Sequence, residues 1–266
     1  MKNFNKKNNY YLANYEYNYS FELPLIKVIH LDSTQTKDTV VAEFPLGLVI
    51  NGKYNTTFLC SPYKLKELVV GYLCSKNLIS CKEDILNFEI DYDKKIAYVN
   101  INESVINNEN DITIYLNEHD FINTNPIYDD NLKVTASNIY ETMENNLNFS
   151  QLFKNTAGVH CVGIYKNNEL IIACEDVARH NAMDKAIGYC ILNDIPLNDK
   201  VIFVSGRLSF EMIKKAAKVK IPIIVAKSAI TSLVIETAQK LNITLVGFVR
   251  DQKMNIYTNP HRILFK

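Results

Sequence analysis

The densest group of titratable side chains lies between residues 157 and 185. Asp176, His180 and Asp184 follow one another at i, i+4 spacing after Cys174. If this segment is helical, all three share one face, and a histidine between two carboxylates would have its charged form favoured. The spacing fits a general acid or a ligand clamp, and equally a structural hydrogen-bond network around a half-buried histidine.

The same stretch raises the question of zinc, because it holds His160, Cys161, Cys174 and His180. Successive side chains of a strand point to opposite faces, so His160 and Cys161 should not share one metal. The stretch also lacks the HxE and PCxxC signature of zinc deaminases. We predict no metal site.

Two apolar segments end in small and basic residues. VIFV runs into Ser205, Gly206 and Arg207, and IPIIVA runs into Lys227 and Ser228, each before a predicted helix. The carboxyl ends of neighbouring strands line the ligand crevice of an open α/β sheet, and helix starts and guanidinium groups favour anions. Arg207 and Lys227 are therefore predicted to face one phosphate-bearing ligand. The alternative is a tight turn with a solvated arginine.

The six cysteines show no CxxC pair and no disulfide spacing, so they should be free thiols. Cys60 precedes a predicted helix start and Cys161 adjoins His160. Either position could favour a reactive thiolate, although an inert core residue is the commoner role. Cys190 falls on an apolar helix stripe and is predicted to pack in the core.

Composition excludes several classes of protein. The 266 residues carry 29 basic and 29 acidic side chains, so no global field recruits nucleic acid or anionic lipid. No apolar run approaches the ~20 residues that span a bilayer, and the polar N-terminus does not resemble a signal peptide. These features predict a cytoplasmic protein.

The sequence of the N-terminal half predicts mixed α and β structure. Asn51-Gly52 predicts a hairpin turn, and a second hairpin should turn at Asp93-Lys94. Ser61 and Pro62 predict a helix start. Residues 1 to about 20 lack a period and suit a mobile arm, and residues 102–131 suit a linker.

The C-terminal half alternates between strands and helices. After a helix predicted over residues 136–153, a hairpin leads to helices over 177–191, 210–219 and 233–241, separated by continuous apolar strands. Such strands indicate a sheet that is covered on both faces. The fold class is therefore α/β with three layers.

Several longer strings can be read together: EFPLGLVING, FLCSPYKLKELVVGYLCSKNLI, TAGVH, EDVARHNAMDKAIG, VSGRLSFEMIKKAAKVKIPIIVAKS and YTNPHRI. From about Val41 to Ile263 the chain resembles the FdhD/NarQ family of formate dehydrogenase accessory proteins. Ala157 and Ala178 stand where that family usually has glycine.

The resemblance implies a sulfurtransferase-like sulfur carrier. Such a carrier takes sulfur from a cysteine desulfurase to the molybdenum or tungsten bis(molybdopterin guanine dinucleotide) cofactor, before the cofactor enters the formate dehydrogenase apoenzyme. The cofactor is cargo, and no zinc is implied. The family's cofactor segment matches Phe248, Val249, Arg250, Asp251, Gln252 and Lys253, and a homodimer is expected.

The resemblance also implies a fold: a cytidine-deaminase-like core over residues 133–266, a smaller α+β part over 37–132 and a flexible arm over 1–36. One departure concerns the chemistry, because the family's CGxCG-type loop matches LNEHDFINTNPIYDDNLKV, which has no cysteine. Three interpretations remain. Cys60 or Cys161 carries the sulfur, the protein is a cofactor-binding chaperone without sulfur transfer, or it is a nucleotide-processing enzyme, which would lack its metal ligands.

Overall fold

The N-terminal part of the chain forms two separate sheets. In the computed structural model, which describes residues 18–102, 126–127 and 131–265, β1 (Ser20–Ile29) and β2 (Asp32–Val41) make an antiparallel hairpin. A four-stranded sheet follows in the order β4-β3-β6-β5, from β3 (Phe44–Ile50), β4 (Lys53–Cys60), β5 (Ile85–Asp91) and β6 (Ile96–Ile101). Helix α1 (Leu65–Ser75) packs its apolar face on this sheet. Both predicted hairpin turns are confirmed.

The start predicted for α1 is wrong. The helix begins at Leu65, after Lys64 in the left-handed conformation, and neither Ser61 nor Pro62 caps it. Ser61 is instead fully buried and contacts the C-terminal half: its backbone N–H donates to Asp176 Oδ2 over 3.0 Å and its hydroxyl accepts from the backbone N–H of Val177. Tertiary hydrogen bonds therefore outweigh the local capping preference.

The C-terminal half contains a six-stranded mixed sheet in the order β13-β12-β11-β10-β8-β9. Its strands are β8 (His160–Lys166), β9 (Glu169–Asp176), β10 (Val201–Val204), β11 (Ile223–Ala226), β12 (Thr244–Arg250) and β13 (Lys253–Thr258). The three strands β10, β11 and β12 run parallel, and β8 is antiparallel to β10. Two short strands, β7 (Val134–Thr135) and β14 (Ile263–Leu264), pair beside it.

Helices cover both faces of the six-stranded sheet. Three of them, α4 (Arg179–Leu192), α5 (Phe210–Lys218) and α6 (Ser232–Lys240), pack on one face. On the other face, Ile139 and Met143 of α2 (Ala136–Phe149) meet Phe203 and Val225. The predicted three-layer α/β arrangement is confirmed.

The single helix predicted over residues 136–153 is two helices. The chain leaves helical geometry at Ser150, whose hydroxyl accepts from the backbone N–H of Phe153 and so caps α3 (Gln151–Thr156). A serine that offers its side chain to a nearby N–H competes with the helix interior. The described residues thus contain six α-helices.

Helix α1 crosses α4 at close range and joins the two halves. A Cβ on Gly188 would lie 1.9 Å from the carbonyl oxygen of Glu67, and one on Gly71 would lie 1.9 Å from that of Asp184. Only glycine permits this approach of two backbones. The crossing fixes the N-terminal sheet against the helix layer that contains α4.

The division into an arm, an α+β part and a core stays a prediction. Within the range predicted as an arm, residues 20–36 belong to the β1–β2 hairpin. Residues 1–17 and most of the predicted linker at 102–131 lie outside the described residues, and so do residues 116–125 and 128–130 of the segment that matches the CGxCG-type loop.

Candidate functional site

A cavity of about 380 Å³ lies at the carboxyl ends of β10 and β11. This volume falls within the range of small-molecule sites. The strand ends, β8, the start of α4 and the α2–α3 connection all contribute to its lining, which includes Ser150, Phe153, Gly158, His160, Cys161, Arg179, Arg207 and Lys227.

Hydrogen bonds of the backbone and of two serine hydroxyls hold the strand ends in place. The N–H of Ser205 donates to the carbonyl of Cys161 over 3.0 Å, and the Ser205 hydroxyl accepts from the N–H of Cys161 over 2.9 Å. The Ser228 hydroxyl donates to the Ser205 carbonyl. Gly206 brings the turn close to His160, because a Cβ there would lie 3.1 Å from His160 Nδ1. The two strand ends therefore form one rigid edge.

Three cations converge on this cavity. Arg207 and Lys227 line it together, as the sequence predicts, and Arg179 joins them from the first residue of α4. No acidic side chain lines the cavity among the described residues. The Nε of Arg179 is buried and has no hydrogen-bond partner in the described structure. A buried donor without a partner is costly, and an anionic oxygen would satisfy it.

The two histidines near the cavity favour their neutral forms. Burial, and then the charge of Arg179, hold the pKa of His160 below its usual range, against an opposing effect of Asp176. His180 does not line the cavity. Burial and the charges of Lys215 and Arg179 lower the pKa of His180 to about 4. The expectation that carboxylates favour charged His180 is therefore wrong, because burial and, after it, nearby cations favour the neutral ring.

Asp176 and Asp184 have structural positions. Asp176 ends β9 rather than lying on a helix, so the predicted common face is limited to His180 and Asp184. Asp176 is fully buried 2.6 Å from Lys185 Nζ, while Asp184 bonds to Ser75 and Lys215. None of the three predicted residues lines the cavity, and the bonds around Asp176 fix the turn that leads to Arg179.

Both predicted thiols are poor nucleophiles in this structure. Cys60 is fully buried, its Sγ donates to the Phe44 carbonyl, and burial raises its pKa to about 12. Cys161 contacts Asn146 at the base of the cavity, and burial and the Glu175 charge raise its pKa well above the usual range. The prediction that Cys60 lies beside a helix start, which would favour its thiolate, is wrong, because α1 begins five residues later. Cys190 is buried in the core, as predicted.

Cys81 is the exposed thiol among the six cysteines, all of which lie in the described part of the chain. It precedes a short 3-10 turn, Lys82–Asp84. Residual desolvation and a hydrogen bond to Glu83 raise its pKa. Partners can reach this thiol, although its surroundings favour the protonated form.

The predicted cofactor segment forms the turn between β12 and β13. Arg250, Asp251, Gln252 and Lys253 are exposed, whereas Val249 is buried in the core. Phe248 has a left-handed backbone, and its N–H donates to the carbonyl of Ser228, a residue that lines the cavity. The segment is therefore joined to the edge of the cavity by one backbone hydrogen bond. Its role in binding stays a prediction.

His160 and Cys161 have different neighbours in the structure. His160 approaches Gly206 and Arg179, while Cys161 points through the other face of the sheet toward Asn146. Within residues 18–102, 126–127 and 131–265, no three His, Cys, Asp or Glu side chains form a metal-binding group. In the same ranges no helix has the length and hydropathy to cross a membrane.

Arg179 and His160 line the cavity although the sequence did not predict them as residues of the anion site. Their signal was present, because both flank the β8–β9 hairpin, whose ends lie beside β10 in the sheet. The order of the strands could not be predicted from the sequence, so the residues that lie near Arg207 could not be predicted either.

Comparisons with known proteins agree with this structure. The chain matches the FdhD/NarQ family over residues 41–264. It is 40% identical over 237 residues to the sulfur carrier protein FdhD of Bacillus pumilus, covering 85% of this chain and 90% of that protein. The corresponding protein of Staphylococcus haemolyticus is 38% identical over 240 residues, covering 86% and 91%.

A solved structure has the same overall fold. A formate dehydrogenase accessory protein from Desulfotalea psychrophila superposes with a TM-score of 0.81 at 25% identity, covering 93% of this chain and all of that chain. Sequence and fold lead to the same assignment, and the chain belongs to the FdhD/NarQ family.

Proposed function

We propose that this protein is a formate dehydrogenase accessory protein that binds the guanine dinucleotide form of the molybdenum or tungsten cofactor as cargo. The cavity at the ends of β10 and β11 supports this proposal most strongly. It combines three cations, no lining carboxylate among the described residues and a buried guanidinium N–H without a partner. These are the properties expected of a site for a pyrophosphate.

Each cation has a distinct task in this proposal. Arg179 and Arg207 offer guanidinium groups, which can bind phosphate oxygens in a bidentate manner, whereas Lys227 supplies a point charge. His160, which favours its neutral form in the free protein, can donate one hydrogen bond to the same anion, and a bound anion raises its pKa. Phe153 and Gly158 supply the less polar side of the cavity, against which a base or pterin could pack.

The turn after β12 extends the same site. Arg250 and Lys253 supply exposed charge next to Phe248, which is bonded to Ser228 at the cavity edge. Phe248, Val249, Arg250, Asp251, Gln252 and Lys253 are proposed to hold the guanine dinucleotide. Because Val249 is buried, it acts by fixing the backbone of the turn. A cytidine-deaminase-like core is part of the same proposal.

Titration with GDP tests the site. Removing a charge-assisted bond costs about 1.5–3 kcal/mol, so Arg207→Ala and Arg250→Ala should each weaken binding by roughly 10- to 150-fold. Lys53→Ala, at the exposed first residue of β4, is the matched control and should leave affinity unchanged. Unchanged affinity in Arg207→Ala would remove the cavity from the site, and unchanged affinity in Arg250→Ala would remove the turn.

Sulfur transfer is the second part of the proposal, and the names of the relatives support it. A cysteine desulfurase would supply persulfide sulfur to a thiol, and the cofactor would receive it before entering the formate dehydrogenase apoenzyme. Exchange needs an accessible thiolate. Of the six thiols only Cys81 is exposed, so Cys81 is the carrier that a protein donor could reach.

A cofactor-binding chaperone without sulfur transfer is the alternative. The burial of five thiols and the raised pKa of Cys81 favour it. Incubation with a cysteine desulfurase and cysteine, followed by intact mass measurement, separates the two functions. A gain of one sulfur that Cys81→Ser abolishes supports carriage. No adduct on a protein that still binds GDP supports the chaperone. The proposed setting is the cytoplasm.

A further inference from the structure

Arg179 reaches the cavity from a helix start that has no cap of its own. Ala178, the residue that precedes α4, makes no side-chain hydrogen bond to the first turn. A polar side chain at this position normally satisfies one of the free N–H groups of a helix start. The bonds that hold the backbone at Arg179 must therefore come from other residues.

Asp176 replaces the missing cap. Its Oδ1 accepts from the backbone N–H of Ala178 over 2.9 Å and from the amide Nδ2 of Asn181 over 3.0 Å. These two bonds hold the chain on both sides of Arg179, because Ala178 precedes it and Asn181 follows two residues later. Asp176 is fully buried and Asn181 is 8% exposed, so water has little access to the bonds.

Asn181 also joins this turn to the N-terminal sheet. Its Nδ2 donates a second hydrogen bond, over 2.7 Å, to the carbonyl oxygen of Leu59 near the end of β4. The hydroxyl of Ser61, two residues further along, accepts from the N–H of Val177 over 3.2 Å. The position of the turn before α4 is thus set in part by the other half of the chain.

The direction of the Arg179 side chain depends on this turn. Its Cδ lies 3.5 Å from the place that a Cβ on Gly206 would occupy, so the side chain crosses close to the end of β10. Its Nε is buried and has no partner in the described structure, so this atom does not hold the guanidinium in place. Charge-assisted hydrogen bonds depend on geometry, and a shift of the turn would therefore weaken the grip on an anion.

We propose that Asn181 is a positioning residue of the anion site and acts through Arg179. Its amide holds the turn against β4 and so keeps the guanidinium directed into the cavity. Asn181 does not itself line the cavity. This role rests on the proposed function where GDP is the ligand, whereas the placement of Arg179 can be measured without any ligand.

A double-mutant cycle with GDP tests whether Asn181 acts through Arg179. Arg179→Ala should weaken GDP binding by roughly 10- to 150-fold, and Asn181→Ala by about 3- to 10-fold, the effect of one ordinary hydrogen bond. In the Arg179→Ala background, Asn181→Ala should change the affinity by less than about 2-fold, because the residue that it positions is gone. An equal loss with and without Arg179 would overturn the proposal.

Asn259→Gly is the matched control. The Asn259 amide donates to two carbonyl oxygens, those of Ala238 and Ile243, over 3.2 and 2.9 Å, and its left-handed backbone accepts glycine. These bonds lie at the amino end of β12, whereas the cavity lies at the carboxyl ends of the parallel strands. The variant should lose stability but bind GDP like the wild type. A loss of affinity as large as that of Asn181→Ala would show that destabilisation alone explains the effect.

The titration of His160, followed by NMR in the ligand-free protein, tests the placement of Arg179 without GDP. Burial and then the charge of Arg179 lower the pKa of His160, and Asp176 opposes them. Arg179→Ala should therefore raise this pKa. Asn181→Ala should raise it by part of that amount, and Asn259→Gly should leave it unchanged. Failure of the wild type to bind GDP would refute the proposed function, yet this titration would still decide the role of Asn181.

Ser61→Ala is a second perturbation of the same turn. It removes the hydrogen bond to Val177 and leaves the Asn181 amide intact. It should move the His160 titration in the same direction, and it provides the test if Asn181→Ala does not fold. Circular dichroism shows which variants are folded. An unchanged pKa of His160 in a folded Asn181→Ala variant, or in Ser61→Ala where it replaces that variant, would overturn the proposal.

Discussion

Replacing Lys185 with methionine should remove a large share of the stability of the protein. Its Nζ lies 2.6 Å from Asp176 Oδ2, 2.9 Å from the Ser61 carbonyl oxygen and 4.3 Å from the centroid of the Tyr63 ring. Lys185 and Asp176 both have no exposed side-chain surface. Lys185→Met would leave a buried carboxylate without its cation, which costs about 3–5 kcal/mol.

Urea unfolding would measure this loss. Total stability of a domain is typically about 5–15 kcal/mol, so the variant should unfold at a much lower urea concentration. Adding Asp176→Asn should recover part of the loss, because the stranded charge is removed. Lys166→Met is the control: its ion pair with Asp199 is 2.7 Å long but about half exposed, and should cost under about 1 kcal/mol. A loss below about 1 kcal/mol in Lys185→Met would refute the reasoning.

Three further predictions concern the site, the thiols and the helix crossing. GDP affinity should rise more steeply between pH 8 and pH 5.5 in the wild type than in His160→Gln. The pKa of His160 is held low by burial and by Arg179, and a bound anion raises it, so protonation accompanies binding. Parallel slopes in the two titrations would contradict this role. A maleimide should label one thiol of the folded protein, Cys81, and all six after unfolding. Two labels in the folded state would count against the burial of the others. Gly188→Ala should lower stability by about 3 kcal/mol or more in thermal unfolding, because its Cβ has no room beside the Glu67 carbonyl. A change below about 1 kcal/mol would show that the helices can separate at little cost.

The local patterns predicted most elements correctly. The turns at Asn51-Gly52 and Asp93-Lys94 and the continuous apolar strands of the large sheet carry their signal in a few neighbouring residues. The placement of Arg207 and Lys227 could also be predicted locally, because each follows a strand and parallel strands end at the same edge of a sheet. These features needed no knowledge of distant contacts.

The errors arose where distant residues decide the outcome. Ser61 has the residue type of a helix cap, yet Asp176, Val177 and Lys185 engage it from the other half of the chain. The charge state expected of His180 failed for the same reason, since Lys215 comes from a different helix. The exposure of Cys81 and the burial of Cys60 are likewise properties of the packed fold.

A crystal structure of the protein with GDP would test the central claim most directly. We predict that the diphosphate lies in the cavity at the ends of β10 and β11, with phosphate oxygens about 2.7–2.9 Å from the guanidinium groups of Arg179 and Arg207. A diphosphate bound elsewhere, with these groups left without an anion, would contradict it.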